Sequence, residues 1–341
     1  MLVSVVVGLL NEEKFLPRLI EDFKNQTYPH NKIELIFIDG MSKDTSWQIL
    51  EEFKQSKHDF NNVILLKNPK VILSAGMNVG IKEANGECVL KVDCHSHITD
   101  NFIENNVKVI EEGEYVCGGP RPNIIENEDN FSKTLLLVEE NMFGSGIADY
   151  RKKTTKKYVS SVFQGMYKKS IFDKIGLLDE KVGLLDEKVG RVEDNELHYR
   201  IRKNGYKIRY SNNIVSYQYT RPTIKRMLKQ KYSNGYWIGK VSHVYPKAFS
   251  IFHFVPLAFV LAIIFSLCMI PITSIFIILL SSVYFLFTIL ITIMTIINNK
   301  FNITILLMPI ILFLIHVYYG VGTLVGLIKG FSWKKDYYSS K

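Results

Sequence analysis

One short run of the sequence joins an apolar strand to side chains that could bind a metal ion. In ECVLKVDCHSH (residues 87–97), a stretch typical of a buried strand leads directly into one aspartate and two histidines. Successive side chains of a strand point to opposite faces, so Asp93, His95 and His97 are expected on one side. Carboxylate and imidazole groups both bind divalent cations, and the run therefore predicts a cation site.

Strands and helices alternate in the part of the chain that leads to this run. Short runs rich in β-branched residues predict four strands, at residues 2–10, 33–40, 62–68 and 88–93. Residues between them have apolar side chains at helical spacing. The alternation indicates an α/β domain whose ligands bind beyond the carboxyl ends of parallel strands. Asn11 and Glu12 follow the first predicted strand, Asp39 and Asp93 lie at the ends of the second and fourth, and all four are expected there.

The composition changes sharply at about residue 250. Three segments contain no Asp, Glu, Lys or Arg, namely residues 251–270, 272–297 and 303–328. Each is about as long as the ~20 apolar residues with which a helix crosses a bilayer. These segments exclude a wholly soluble protein. Three spans would place Lys329, Lys334 and Lys335 outside, against the preference of basic residues for the cytoplasm, so the side of the C-terminus stays open.

The net charge of +9 is concentrated beside the hydrophobic segments. The basic residues that precede the first segment are Lys225, Arg226, Lys229, Lys231, Lys240 and Lys247. This flank is expected at the cytoplasmic face of a multi-pass plasma-membrane protein, where it also attracts anionic lipid. The same placement argues against nucleic acid as a partner. The apolar start lacks a basic leader, so the N-terminal domain is expected to stay in the cytosol.

A short duplication precedes another segment with acidic residues. GLLDEKV occurs at residues 176–182 and again at 183–189, which is too short for a repeat architecture and indicates an insertion in a surface loop. The following run, EDNELHYRIRKNG, has apolar residues four apart and ends in a glycine, a common helix stop. Glu193 and Asp194 therefore fall at the amino end of a predicted helix.

In this order the motifs resemble the family 2 inverting glycosyltransferases, which are nucleotide-sugar enzymes with a GT-A fold. The matching segments are SVVVGLLNEE, LIFIDGMSKDTS, SAGMNVGIKEANGECVLKVDCHSH, and GLLDE followed by EDNELHYRIRKNG. VDCHSH and YGVGTLVGLIKGF are most similar to membrane-bound members that build bacterial exopolysaccharide and capsule. Together with the composition, the resemblance implies a GT-A, Rossmann-like nucleotide-sugar domain at residues 1–220, an interfacial segment at 221–247, about three transmembrane helices at 248–330 and a basic tail at 331–341.

The resemblance also implies a metal site. Family members have an Asp-X-Asp motif after the fourth strand, and its divalent cation stabilises the charge of the departing nucleoside diphosphate. Here the motif reads Asp93-Cys94-His95, so Asp93 and His95 are the implied ligands of Mn²⁺ or Mg²⁺. Two alternatives stay open. His95 and His97 could only hydrogen-bond a loop, or Cys94, His95 and His97 could bind zinc, although alternation turns Cys94 away.

Inversion at the anomeric carbon requires a base that removes the proton of the acceptor hydroxyl. By resemblance, the pair Glu193-Asp194 is catalytic, with Asp194 in the position of the base. Both acids could instead only complement the dipole of the helix that they begin.

The donor-binding residues are likewise implied by the resemblance. The matching positions are Leu10, Asn11, Glu12, Asp39, Asn78 and Gly80. A UDP-sugar is the favoured donor, although Gly40 stands where many relatives have a second acid that contacts the base. For the glycines, packing of helices and turns is the alternative.

The run RPTIKRMLKQKYSNGYWIGK (residues 221–240) interleaves basic and aromatic residues. This pattern predicts a helix in the headgroup plane with its aromatic tips at the interface. The run lacks the Arg-Trp pair of processive synthases, so we expect one sugar to be added to a lipid-linked acceptor whose phosphates contact Arg221, Arg226 or Lys229. The alternatives are transfer directly to polyprenyl phosphate and a catalytically degenerate membrane scaffold.

Overall fold

The structure is a computed structural model, and the residues that it describes are 1–144, 151, 153–181, 193–221 and 223–339. Within them the strands are β1 (Val3–Leu9), β2 (Ile33–Asp39), β3 (Asn62–Lys67), β4 (Cys88–Lys91), β5 (Ser96–Ile98), β6 (Val116–Gly118), β7 (Asn123–Ile124), β8 (Tyr158–Val159), β9 (Met166–Lys168), β10 (Ile208–Tyr210) and β11 (Ser216–Tyr219). The helices are α1 (Leu16–Lys24), α2 (Ser46–Gln55), α3 (Leu73–Glu83), α4 (Phe102–Glu111), α5 (Asn130–Glu140), α6 (Ile171–Ile175), α7 (Glu193–Lys203), α8 (Ile224–Val241), α9 (Val255–Met269), α10 (Ile275–Asn298) and α11 (Met308–Ser339). Strands and helices alternate from β1 to β4, which confirms the predicted α/β domain.

The chain forms two units that are interleaved in sequence. The first comprises Met1–Pro122 and Ala148–Tyr219, and the second comprises Asn123–Ile147 and Thr220–Lys341. The first unit thus ends beside the predicted boundary at residue 220. The segment Asn123–Ile147 differs from the prediction, because it belongs to the second unit although it lies within the first 220 residues.

The first unit is built on an eight-stranded sheet in the order β3-β2-β1-β4-β9-β6-β10-β8. Strands β3, β2, β1 and β4 are parallel, and β9 is antiparallel to both β4 and β6. A separate antiparallel pair joins β5 to β11. Because β1, β2 and β4 are parallel neighbours, the loops that follow them meet at one edge of the sheet.

Helices cover both faces of the large sheet. On one face, Val3, Val5 and Val7 of β1 belong to a buried apolar cluster with residues of α1, α2 and α4. On the other, Val6 of β1 belongs to a cluster with residues of α3, α6 and α7. Successive side chains of β1 therefore contribute to two different buried clusters, and this is why the sequence of β1 is a continuous apolar run.

The second unit contains three helical segments that are long and apolar enough to cross a membrane. They are Ile251–Met269, Ile275–Asn298 and Ile303–Ser339. Their positions agree with the uncharged segments of the sequence, and most of their large apolar side chains are exposed. Exposed apolar surface of this extent is typical of helices that contact lipid, and the chain is a membrane protein by this criterion.

Glycines bring α8 and α11 into close contact. A Cβ atom on Gly235 of α8 would lie 2.1 Å from the carbonyl oxygen of Tyr319, and one on Gly326 of α11 would lie 2.1 Å from the carbonyl oxygen of Tyr236. Small residues four apart allow helix backbones to approach in this way, as they do between transmembrane helices. The glycines of YGVGTLVGLIKGF thus serve helix packing.

One feature of this region differs from the predictions, and another adds to them. Tyr236 and Trp237 are buried rather than placed at an interface, because the glycine contact draws this half of α8 onto α11. The predicted basic tail at 331–341 is helical as far as Ser339, and its Trp333 and Tyr337 are buried.

We expect Gly326→Leu to destabilise the second unit by at least the ~1–3 kcal/mol that overpacking costs, because the obstacle is backbone and cannot rotate away. Thermal unfolding of the full-length protein in detergent, followed by size-exclusion chromatography, measures the change. Val321→Leu on the exposed side of the same helix is the matched control and should melt like the wild type. Equal melting of the two variants would contradict the packing role of Gly326.

Candidate active site

The loops after β1 and β2 are joined by reciprocal hydrogen bonds. The backbone N–H of Asn11 donates to Ser42 Oγ, and Asn11 Oδ1 accepts from the backbone N–H of Lys43, both at 2.8 Å. Asn11 has a φ of 54°, a left-handed conformation that asparagine tolerates better than most residues. The predicted donor-binding residues Leu10 and Glu12 flank it in the same loop.

Asp39 lies at the end of β2 beside this loop. Its two carboxylate oxygens accept from the backbone N–H of Ser42 at 3.1 Å each, and the side chain is buried. The N–H of Gly40 donates to the carbonyl of Leu9 at 2.8 Å and holds the two strand ends together. The structure therefore brings Asn11, Glu12 and Asp39 together, as the parallel strand order requires.

Asn78 and Gly80 have a different role from the predicted donor binding. The amide of Asn78 exchanges two hydrogen bonds with the backbone of Leu178, each of 2.9 Å, and also donates to Glu180. A Cβ atom on Gly80 would lie 2.5 Å from Val6 Cγ1. Both positions serve the packing of α3, and the amide that we expected to bind the donor is already hydrogen-bonded within the protein.

Asp93 lies beyond the end of its strand and is paired with a buried arginine. Its Oδ2 accepts from Arg121 Nη2 at 2.7 Å. Burial alone would raise the pKa of Asp93, but Arg121 and then Lys91 outweigh it and lower that pKa to about 2. The carboxylate is therefore ionised at neutral pH, as a metal ligand must be. Arg121 was missed because no pattern in its sequence neighbourhood distinguishes it.

The two histidines after Asp93 point to separate carboxylates. β4 ends at Lys91 and β5 begins at Ser96, so no single strand runs through residues 93–97, although Asp93, His95 and His97 are each less buried than the residues between them. His95 Nδ1 lies 3.3 Å from Glu12 Oε1, whereas His97 Nδ1 lies 2.8 Å from Asp22 Oδ2. His97 thus joins β5 to Asp22 of α1.

The donor set at Asp93 restricts how a metal could be held. In the described part of the chain, no three His, Cys, Asp or Glu side chains are gathered to hold an ion, which leaves the zinc alternative without support there. Asp93 is ionised and near His95, so these two residues fit Mn²⁺ or Mg²⁺ when further oxygen ligands come from a bound diphosphate. A divalent metal is thus compatible with the site.

Two buried acids at the start of α7 meet one buried lysine of β4. Lys91 Nζ donates to Asp194 Oδ1 at 2.7 Å and lies 3.7 Å from Glu193 Oε1. Burial would lower the pKa of Lys91, but the carboxylates around it, Asp194 foremost, raise that pKa above its ordinary value. Lys91 is therefore a fixed positive charge. A lysine within the apolar strand CVLKV was the signal that could have revealed it.

The buried His198 of α7 anchors that helix through hydrogen bonds. His198, one turn after Asp194, has both ring nitrogens within 2.9 Å of hydroxyl groups, those of Ser161 and Tyr167. Burial lowers the pKa of His198 to about 4, so the ring is neutral. The guanidinium of Arg200 donates to the backbone carbonyls of Gly176 and Leu177, in the first copy of the duplicated heptad. The second copy, residues 183–189, lies outside the described residues.

Glu193 has fewer hydrogen-bond partners than its burial requires. Its Oε2 is buried and has no hydrogen-bond partner, and burial raises the pKa of Glu193 to about 7. Between the ordinary glutamate pKa of about 4.3 and this value, the unfolded chain has lost a proton that the folded protein keeps. Stability therefore falls as the pH rises through this window.

We expect Glu193→Gln to remove this pH dependence. The variant should gain stability over the wild type by roughly 1–3 kcal/mol at pH 8, and the difference should shrink towards pH 5. Melting temperatures measured at both pH values test this, with the exposed Glu52→Gln of α2 as control. If the melting temperatures of the wild type and of Glu193→Gln changed in parallel with pH, the raised pKa of Glu193 would be contradicted.

Comparisons with known proteins agree with this fold. The chain is 29% identical over 331 residues, 96% of its length and 98% of the other, to a dolichyl N-acetyl-alpha-D-glucosaminyl phosphate 3-beta-D-2,3-diacetamido-2,3-dideoxy-beta-D-glucuronosyltransferase of Methanococcus voltae. It is 23% identical over 237 residues, 68% of its length and 67% of the other, to the succinoglycan biosynthesis protein ExoA of Rhizobium meliloti.

A solved structure shares the fold. The mannosyltransferase PcManGT from Pyrobaculum calidifontis, in complex with GDP-Man and Mn²⁺, aligns with a TM-score of 0.63 at 15% identity and covers 94% of this chain and 86% of its own. Residues 4–176, more than half of the chain, match the family described as glycosyl transferase family 2. The protein therefore belongs to glycosyl transferase family 2 and is a glycosyltransferase.

Proposed function

We propose that the protein is an inverting enzyme that transfers a sugar from a nucleotide-diphosphate sugar to a lipid-linked saccharide during synthesis of a cell-surface polysaccharide. The observation that carries the proposal is the cluster in which Lys91 joins the acids of α7 to the strand that leads to Asp93. Three membrane-length helices on the same chain support a lipid-linked acceptor.

In the proposed reaction, Asp194 is the general base that takes the proton of the acceptor hydroxyl as the sugar is transferred. The hydrogen bond of 2.7 Å from Lys91 Nζ holds the carboxylate of Asp194 in place and limits the rotation of that side chain. Arg121 fixes the carboxylate of Asp93 in the same way. Asp93 and His95 would hold Mn²⁺ or Mg²⁺, and the bound metal would supply stabilisation of the charge on the departing diphosphate.

The donor is bound, on this proposal, by the loops that follow β1 and β2. Leu10, Asn11 and Glu12 line the nucleoside, and the buried carboxylate of Asp39 accepts from it. The hydrogen bonds of Asn11 with Ser42 and Lys43 support the assignment, because they hold the two loops in one conformation. A UDP-sugar remains the favoured donor, and the GDP-Man of the mannosyltransferase structure makes a GDP-sugar the first competitor to test.

On this proposal, basic residues of the second unit bind the phosphates of the acceptor. Arg226 and Lys229 are exposed on the first turns of α8, and Arg221 precedes that helix. Their positive charges suit the phosphates of a polyprenyl-linked acceptor. The relative from Methanococcus voltae is named for a dolichyl-linked acceptor, which favours this chemistry. On this proposal the active site lies at the cytoplasmic face of the plasma membrane in a multi-pass protein, and the basic flank supports that orientation.

Incubation of membranes with radiolabelled UDP-, GDP- and dTDP-sugars, followed by lipid extraction, tests the proposed function. We expect label in a lipid-linked saccharide, with the anomeric configuration of the new bond opposite to that of the donor. Label on polyprenyl phosphate alone would identify the direct transferase instead. Absence of label in lipid with every donor, from membranes that contain folded protein, would favour a degenerate scaffold.

A further inference from the structure

Gln164 is a buried amide without a hydrogen-bond partner. Its side chain is 1% exposed, and neither Oε1 nor Nε2 has a partner. In the part of the chain that the structure describes, it is the only side-chain amide in this state at both atoms. Buried polar groups in native proteins are nearly always hydrogen-bonded, so this exception requires a reason.

The backbone of Gln164 is also in an unfavourable conformation. Its φ is 48°, in the left-handed region that residues other than glycine, asparagine and aspartate rarely adopt. Such conformations persist where the surroundings impose them, and they concentrate at ligand-binding sites. The free protein thus holds both the backbone and the side chain of one residue in a state of raised energy.

The neighbours of Gln164 contact both groups that hold the functional acids. The carbonyl of Gly165 accepts from the backbone N–H of Lys91 at 3.1 Å. The ring of Phe163 lies 5.0 Å from the guanidinium of Arg121. Lys91 holds the proposed base, and Arg121 holds the proposed metal ligand, so the residue between Phe163 and Gly165 belongs to the same site.

A carboxamide offers donors on its nitrogen and an acceptor on its oxygen, and it carries no charge. This combination suits a sugar hydroxyl or acetamido group, which both donates and accepts, better than it suits a phosphate. We infer that Gln164 hydrogen-bonds a polar group of the pyranose in the reacting complex. The inference rests on the proposed function and adds to it a residue that selects the sugar.

Because the amide has no exposed surface in the free protein, residues 162–165 must shift for a sugar to reach it. The shift satisfies both polar atoms and allows the φ of Gln164 to relax. Binding of the correct sugar therefore compensates two unfavourable features at once, and a sugar that lacks the matching group compensates neither.

The first experiment separates this role from a structural one by measuring stability. Gln164→Met keeps the side chain's length and removes the unsatisfied amide, so the full-length variant should melt at the wild-type temperature or above it. Gln26→Met is the matched control, because the buried Gln26 donates to two carbonyls at 2.9 Å and accepts from the N–H of Ile103. The control should melt below the wild type.

The second experiment measures function with UDP-GlcNAc, UDP-glucose and GDP-mannose as donors. Gln164→Met should transfer the sugar that the wild type prefers with a kcat/KM lowered by about 10- to 100-fold, while its affinity for free UDP or GDP is unchanged. A parallel loss in acceptor-free hydrolysis of the donor would assign the contact to the donor sugar. Unchanged hydrolysis with weakened transfer would assign it to the acceptor sugar.

Wild-type kcat/KM in Gln164→Met, or a melting temperature well below that of the wild type, would overturn the inference. Gln164→Asn provides a second test, because asparagine accepts the left-handed backbone but withdraws the amide by one methylene. Full activity of that variant would also overturn it. A wild type that is inactive with all donors would instead refute the proposed function, and the inference would fall with it.

Discussion

Asp194→Asn is expected to lower the turnover number by on the order of 10²-fold or more while the affinity for donor nucleotide stays close to that of the wild type. Asparagine keeps the size of the side chain and an oxygen that can accept from Lys91, so the geometry of the site is retained. It cannot take a proton from the acceptor hydroxyl. The loss should therefore be in kcat and not in the KM for the donor.

Single-turnover transfer and titration with UDP measure the two quantities separately. Asp173→Asn, at an exposed position of α6, is the control and should retain full turnover. Melting temperatures of both variants show whether the fold is intact, since Asp194 is the partner of a buried lysine. Asp194→Asn with weakened donor binding and wild-type turnover would mean that Asp194 is structural.

Asp93→Asn is expected to abolish most metal-stimulated transfer, by on the order of 10²-fold or more, because one of the two proposed protein ligands loses its charge. The change also weakens the ion pair with the buried Arg121. Removal of one member of a buried pair costs about 3–5 kcal/mol, so Asp93→Ala would confound catalysis with stability. Asparagine, which still accepts from the guanidinium, is the more informative substitution.

The measurement for Asp93→Asn is transfer as a function of Mn²⁺ concentration, with and without EDTA. The wild type should lose activity in EDTA and regain it with Mn²⁺ or Mg²⁺, whereas the variant should respond weakly to either. Asp100→Asn, an exposed aspartate a few residues along the chain, controls for general effects of the substitution. Full wild-type activity in excess EDTA would rule out the metal role of Asp93.

Much of the first unit was predictable because local patterns determine it. The apolar run of β1 and the helical spacing of α1 are properties of a few consecutive residues, and their order implies a parallel sheet with its binding edge at Asn11, Asp39 and Asp93. The pairings were not predictable. Lys91 and Asp194 are 103 residues apart, and nothing local indicates that they meet.

The differences between the structure and the predictions have physical causes of the same kind. Strand alternation was extended to His97 because the sequence does not show that β4 ends at Lys91. Asn78 was expected to bind the donor because a motif position does not reveal that Leu178 uses its amide. Gln164 carried no motif, since an unsatisfied amide becomes visible only when every neighbour is in place.

The placement of α5 in the second unit has a consequence for the order of synthesis. Its buried Leu135 and Val138 pack in one cluster with Met308 and Ile311 of α11, and its Thr134 hydroxyl lies 2.7 Å from that of Thr304. At about 5–20 residues per second, a ribosome needs roughly 10–30 s to reach those partners after α5 has emerged. During that delay the apolar face of α5 stays uncovered. Insertion of the last helices into the membrane is therefore also the event that buries α5, and a failure of insertion leaves the apolar face of α5 exposed.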